Sequence, residues 1–208
     1  DDVIEVAAYR DSFSNVAVTG LLPAGLYAGG DVLPDLFSDA SSFNAGSYET
    51  TGYRVSYSRR LGDHVTAALA YGLTGALAPA RDSLATNDPN ELRSLLRLRR
   101  EHFITAQLSA QMPHAGTKIA SSYQWAPHNL VTSPDLFHAS AARALPGMNL
   151  MVRQPLPNTA YLPGKFEATA DFRDMLAQGY VPIRTADGRR LLLLQSARSF
   201  RGGFNFVF

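Results

Sequence analysis

The sequence predicts an all-β fold, in which antiparallel strands form part of a transmembrane β-barrel with long extracellular loops. Three observations lead to this prediction. Apolar and polar residues alternate over several runs of about ten residues. Tight polar turns alternate with connections of about twenty residues or more. The last ten residues, 199–208, carry a stripe of phenylalanines on every second or fourth position.

Composition narrows the classes of protein that fit. The chain has 208 residues, with 19 Lys and Arg against 18 Asp and Glu, so its formal net charge is +1. A near-neutral chain is a poor match for a nucleic-acid binder, and we expect no nucleic-acid partner. Because there are no cysteines, disulfide scaffolds and thiolate metal sites are excluded.

The clearest strands form a first hairpin. Tyr53, Val55 and Tyr57 alternate with polar residues, and after a polar turn the same pattern resumes over 65–73. We predict that Tyr57 and Leu69 face lipid and that Arg54 and Thr66 face the lumen, because small and polar side chains suit a wet barrel interior.

A second hairpin follows the same rule. Alternation runs through 103–112, turns at Pro113–Gly116 and continues to Trp125. Leu108 is predicted to face lipid and Gln107 the lumen. Tyr123 and Trp125 end the apolar side of the second strand, where an interfacial aromatic girdle would lie.

Long connections separate these hairpins, at 21–47, 75–97 and 126–147. One of them is predicted to hold a helix. Asp88 is a suitable N-cap, Pro89 suits the first helical position, and Glu91 lies three residues after the cap. Leu92, Leu95, Leu96 and Arg99 would share one face of that helix.

The C-terminal third completes the count of strands. Alternation over 165–173 and an Asp187-Gly188 turn between two apolar runs predict further strands. The sequence therefore predicts about eleven strands in one barrel wall, at 3–10, 13–20, 48–60, 64–74, 101–112, 117–125, 148–154, 165–173, 179–184, 189–195 and 199–208. With an odd number of strands and a C-terminus in the periplasm, the chain would start on the extracellular side. Single-chain barrels instead have an even number of strands and start from the periplasm. We therefore expect residues 1–208 to be one domain, the C-terminal part of a barrel, without its N-terminal strands and any plug.

The predicted lumen-facing side chains are polar or charged residues at alternate strand positions. They are Arg54, Gln107, Gln111, Lys118, Glu167, Asp171 and Arg173. Lumen hydrogen bonding or contact with a plug is their expected role.

The final strand carries a family resemblance. Phe200, Phe204, Phe206 and Phe208 share one side of the strand, with Gly202 departing from the apolar pattern. This ending resembles the C-terminal assembly signal of bacterial outer-membrane β-barrels. Together with 42–73 and 167–179, it resembles the barrel of TonB-dependent receptors that carry a carboxypeptidase-regulatory-like N-terminal domain.

The resemblance implies a location and partners. It implies the bacterial outer membrane, contact with its lipid and with the barrel assembly machinery, and a plug from the same protein. It also implies solute uptake or binding, although the plug and the TonB-contacting segment have no counterpart in this sequence.

The sequence shows none of the common catalytic or metal-binding patterns. The five histidines form no His-Glu-x-x-His pair, and there is no Gly-x-Ser-x-Gly elbow or phosphate-binding loop. Asp31, Asp35 and Asp39 lack the oxygen pattern and closing Glu of a calcium loop. We expect no enzyme activity, metal or cofactor.

The alternative function is a surface-attached or secreted β-sandwich for adhesion or scaffolding.

Overall fold

The fold was analysed in a computed structural model, which describes residues 2–21, 32–34, 40–80, 84–85, 89–126, 130–134, 147–157, 165–176, 180–184, 190–194 and 198–207. The strands are β1 (Asp2–Phe13), β2 (Ala17–Leu21), β3 (Val32–Pro34), β4 (Ala40–Asn44), β5 (Tyr48–Arg60), β6 (Val65–Pro79), β7 (Leu84–Ala85), β8 (Leu96–Gln111), β9 (Lys118–Trp125), β10 (Gly147–Pro155), β11 (Lys165–Arg173), β12 (Tyr180–Arg184), β13 (Arg190–Leu194) and β14 (Ser199–Val207). The helix α1 (Pro89–Leu95) has seven residues, and no helix in the described part of the chain could span a bilayer.

Eight strands form one large antiparallel sheet, in the order β1-β5-β6-β8-β9-β10-β11-β14. Chain-neighbouring strands of this sheet are joined alternately by a short connection at one end and a long connection at the other. The short connections after β5 and β8 cover residues 61–64 and 112–117. We call this end of the sheet the turn end, and the opposite end the cap end.

The long connections at the cap end contain a second sheet of six strands, in the order β3-β4-β2-β13-β12-β7. Its pairs are antiparallel except β7 with β12, which is parallel. We call this sheet, together with α1 and residues 130–134, the cap. Its core joins Val18, Phe43, Val181 and Leu193 of the sheet with residues at and after α1, so the cap is a packed unit.

Two residues with positive φ lie where the paired chain segments β1–β2 and β4–β5 pass from the large sheet into the cap. The pairings Phe13↔Tyr48 and Ala17↔Asn44 belong to one continuous register, and Asn15 and Gly46 lie opposite each other between them. Their φ angles are 54° and 92°. Asn and Gly tolerate this region best, and the Asn44 amide donates to Asn15 Oδ1 at 3.1 Å.

The all-β, antiparallel prediction is confirmed, and several strand bounds agree with it. The predicted strands 48–60 and 165–173 have the bounds of β5 and β11. The predicted strand 13–20 is divided between the end of β1 and β2, and the short strands β3, β4 and β7 were not predicted.

The predicted helix was too long. α1 begins at Pro89, as predicted, but ends at Leu95, so Arg99 is not helical. From Leu96 onward the chain is strand β8, because Leu96 pairs with Pro79 and the ladder with β6 continues from there. Strand pairing therefore replaces the helical pattern that Leu96 and Arg99 suggested.

The prediction of about eleven strands in one wall was wrong. Three of the predicted strands, 13–20, 179–184 and 189–195, contribute to the cap sheet, and β11 pairs directly with β14. The large sheet has eight strands, so β1 starts at the turn end, where β14 ends. An eight-stranded sheet gives no reason to expect an odd number of missing strands. In the described residues β1 and β14 are the two edges of the sheet, and no pairing closes it.

Candidate functional site

The strand register divides the large sheet into an apolar face and a polar face. The apolar face holds every second residue of 4–8, 53–57, 65–73, 104–110, 119–125, 148–152, 166–172 and 200–206. Among these positions there is no Asp, Glu, Lys or Arg, and Ser121 is the most polar side chain. We call this set the apolar band.

The apolar band is exposed rather than packed. Val6 is 73% exposed, Leu69 53% and Phe204 79%. The described core cluster of large side chains lies in the cap and contains no residue of the band. An exposed apolar surface of this extent on a soluble protein would be an interaction or aggregation site.

Two ion pairs bracket the band on β1 and β5. Toward the cap end, an Arg10 Nη donates to Glu49 Oε2 at 2.6 Å. Toward the turn end, Arg59 Nε lies 3.5 Å from Asp2 Oδ1. All four residues lie on the apolar face. On these two strands, the charged side chains of that face therefore lie beyond the two ends of the band.

The band runs obliquely across the paired residues of the sheet. On β1 it is centred on Val6, and successive pairings lead from there to the end of β9 through Val55, Tyr71, Ile104 and Trp125. Trp125 is the last residue of β9, so this row has reached the cap end of the band.

The slope of the band follows from the same registers. Continued to β14, the row of Val6 falls about seven residues before residue 203, the midpoint of the band there. Seven residues at ~3.3 Å each over seven steps of ~4.8 Å give an inclination of about 35° between the strands and the normal of the band. On β6, where the run is longest, from Val65 to Leu73, the band is then about 22 Å high.

Most tyrosine and tryptophan side chains of the apolar face lie near one border of the band. Tyr53, Tyr71, Tyr123 and Trp125 all lie toward its cap end, whereas Tyr57 lies closer to the turn end. The phenolic and indole groups therefore form a row along the boundary between the band and the polar surface above it.

The polar face carries all seven residues predicted to face a lumen. Arg54 is 4% exposed and its guanidinium donates to Glu5 Oε2 at 3.2 Å. Gln111 is paired with Lys118, and both are exposed near the turn end. Gln107 and Glu167 also lie on this face and are half-buried.

Asp171 and Arg173 also lie on this face and form an ion pair of 2.7 Å, in which the arginine donates twice to Asp171 Oδ2. The polar face therefore holds glutamine amides together with arginines that form ion pairs with carboxylates on the same face. That they face a lumen remains a prediction.

The cap-end half of the polar face is buried, and the half near the turn end is open. The buried polar residues on it are Thr50, Arg54, Thr74, Glu101, Thr105, Ser122, Gln124 and Asn149. Residues 130–134 lie over this half: Val131 N donates to Leu77 O at 2.7 Å, and Leu77 N donates to Thr132 Oγ1 at 2.9 Å.

Of the buried polar residues in this covered half, only Arg54 was among the predicted site residues. Glu101, Thr105, Gln124 and Asn149 follow the same alternation as the predicted residues, so the period of two could have found them. Residues 130–134 have no periodic signal, and their contact with β6 could not be read from the sequence.

A groove of about 370 Å³ lies in the open half of the polar face and reaches the covered half at Ser122 and Asn149. Its lining combines Gln107, Ser109 and the Asp171–Arg173 pair with the apolar side chains of Ala68, Ala120 and Met151. Such a wall offers hydrogen-bond donors and acceptors with little net charge beside apolar surface.

The described residues include only some of those named in the metal and assembly predictions. No group of three or more His, Asp or Glu suited to hold a metal occurs in them. His64 and His114 lie in turns, as predicted. Asp31, Asp35 and Asp39 lie outside the described residues, and so does Phe208 of the predicted assembly signal.

The rest of the phenylalanine stripe is placed on the edge strand. Phe200, Phe204 and Phe206 lie on the apolar face of β14 and are exposed. Phe200 and Phe206 each contact a phenylalanine of β11, Phe172 and Phe166, with 4.6 Å between ring centroids in both pairs.

Comparison with known proteins adds no family: no protein family, curated protein or solved structure matches the chain.

Proposed function

We propose that this chain forms part of the wall of a bacterial outer-membrane β-barrel that resembles TonB-dependent receptors and serves solute binding or uptake. In this proposal the apolar band faces lipid and the polar face lines the solute route.

The observation that carries the proposal is the geometry of the band. A strand that crosses a bilayer in a barrel is tilted by ~35–45°, and its lipid-facing band is ~25 Å tall. The inclination of about 35° lies at the lower end of this range, and the height of about 22 Å on β6 is close to the second value. The row of tyrosines and tryptophan at the cap-end border matches the position of an interfacial girdle.

The polar face supports the solute part of the proposal. The groove in its open half is lined by amides, hydroxyls, one neutralised ion pair and small or apolar side chains, whereas its other half is covered by residues 130–134 of the cap. A solute that passes along this face would meet hydrogen-bonding groups at the turn end and a packed structure at the cap end.

The alternative, a soluble β-sandwich, requires a second sheet over the apolar face. The described second sheet instead buries its apolar residues against α1 and Val131. The band therefore has no covering layer in the described part of the chain, which favours lipid as its neighbour.

Fractionation of cells that produce the chain tests this proposal. We expect recovery in the outer-membrane fraction, resistance to extraction without detergent, and faster gel migration before boiling than after it, because a folded membrane β-barrel is compact in detergent. A soluble detergent-free monomer would contradict the proposal and support the sandwich. A periplasmic soluble protein of similar mass, processed in parallel, controls for incomplete fractionation.

A further inference from the structure

The apolar face carries a group of basic side chains immediately beyond the cap-end border of the band. Arg10 follows Ala8 on β1, and Arg100 and His102 precede Ile104 on β8. All three are exposed and lie on the apolar face. We call them the basic cluster.

Thr51 of β5 lies beside both arginines of the cluster. Arg100 is paired with Gly75, and an Arg100 Nη reaches across β6 to donate to Thr51 Oγ1 at 2.6 Å. Thr51 is in turn the pairing partner of Arg10. Because Gly75 has no side chain, nothing on β6 stands between Arg100 and Thr51.

The charges of the cluster are only partly compensated. Arg10 donates to Glu49, and this pair is largely exposed. Arg100 has a neutral hydroxyl as its partner, and in the described ranges no carboxylate lies within ion-pair distance of it. A guanidinium has five N–H donors, so most of those on Arg100 are available to a ligand.

His102 is held in place by a ring contact. Its imidazole stacks on Tyr71, with 5.6 Å between ring centroids, and its Nδ1 lies 2.7 Å from the Tyr71 hydroxyl oxygen. Tyr71 belongs to the aromatic border of the band, so the cluster and the band are joined directly.

We propose that the basic cluster binds the phosphate of an anionic lipid headgroup. Guanidinium groups recognise phosphate through paired, charge-assisted hydrogen bonds. A soluble phosphate could use the same donors, but the apolar band directly below the cluster would hold the acyl chains of a lipid whose phosphate lies at Arg10 and Arg100. The inference rests on the proposed membrane location of the band.

The test measures lipid binding to the membrane-recovered full chain in detergent, by native mass spectrometry. Phosphatidic acid, phosphatidylcholine and inorganic phosphate are the three probes. The variant Arg10→Gln/Arg100→Gln removes both guanidiniums, and Arg59→Gln/Arg60→Gln removes the same charge at the turn end. Because exposed ion pairs contribute little to stability, both variants should fold.

We expect wild-type protein to bind phosphatidic acid more tightly than phosphatidylcholine. Affinity for phosphatidic acid should fall by about tenfold or more in Arg10→Gln/Arg100→Gln, and change by less than about twofold in the control. Equal loss in both variants would overturn the inference, as would binding of inorganic phosphate with the same affinity as the lipid.

The outcomes also separate this inference from the proposed function. If the chain is not recovered in membranes, the proposed function fails. If it is recovered there and binds phosphatidic acid no better than phosphatidylcholine, only the basic cluster is wrongly assigned.

Discussion

Leu69→Arg is expected to cost about 2–4 kcal/mol of the free energy of unfolding from the membrane, the range for Arg on the lipid face near the midplane of a barrel. Leu69 is 53% exposed and is the central residue of the run from Val65 to Leu73 on the apolar face of β6. The expected cost arises because a guanidinium there must leave water or distort the bilayer to reach it.

Thr66→Arg is the matched control. Thr66 lies three residues away on the same strand, is exposed, and belongs to the polar face, where it lines the groove. The same charge placed there should stay hydrated and cost less than about 1 kcal/mol. Urea titration of both variants in lipid vesicles measures the two free energies of unfolding, and equal costs would mean that the faces are wrongly assigned.

Phe103→Ala is expected to lower the free energy of unfolding by about 3–5 kcal/mol, the usual range for a fully buried phenylalanine. Phe103 is 0% exposed and lies on the polar face of β8. Its ring fills the space over Gly72, where a Cβ would approach the ring atoms to 2.6 Å. Removing the ring leaves a cavity over Gly72, which has no side chain to fill it.

Phe103→Leu serves as the control for this prediction, because it keeps an apolar side chain in the same slot and should cost less than about 1.5 kcal/mol. The same urea titration applies. A cost below about 1 kcal/mol for Phe103→Ala would show that the ring is not packed as described.

The elements that could be predicted are those specified by local alternation. β5 and β11 were predicted with their observed bounds, because polar and apolar residues alternate throughout β11 and over residues 53–58 of β5. The same alternation placed Arg54, Gln107 and Lys118 on one face, since a period of two assigns faces before any strand partner is known.

The cap could not be predicted, because its pairings join distant parts of the chain. Thr19 pairs with Leu194, and Ile183 pairs with Leu84. The strands at 179–184 and 189–195 were recognised, but nothing in their own residues indicates β2 rather than β14 as the neighbour. The basic cluster was also missed, since only the registers of β1, β5, β6 and β8 bring Arg10 and Arg100 to the same part of the sheet.

The depth of Trp125 in a bilayer tests most directly whether the apolar band faces lipid. Trp125 is the single tryptophan of the chain, is 41% exposed, and lies at the cap-end border of the band. In vesicles, lipids brominated near the headgroup end of the acyl chain should quench its fluorescence more than lipids brominated near the methyl end, and aqueous iodide should quench it weakly. Strong quenching by iodide, with no quenching by either brominated lipid, would show that the apolar band does not face lipid.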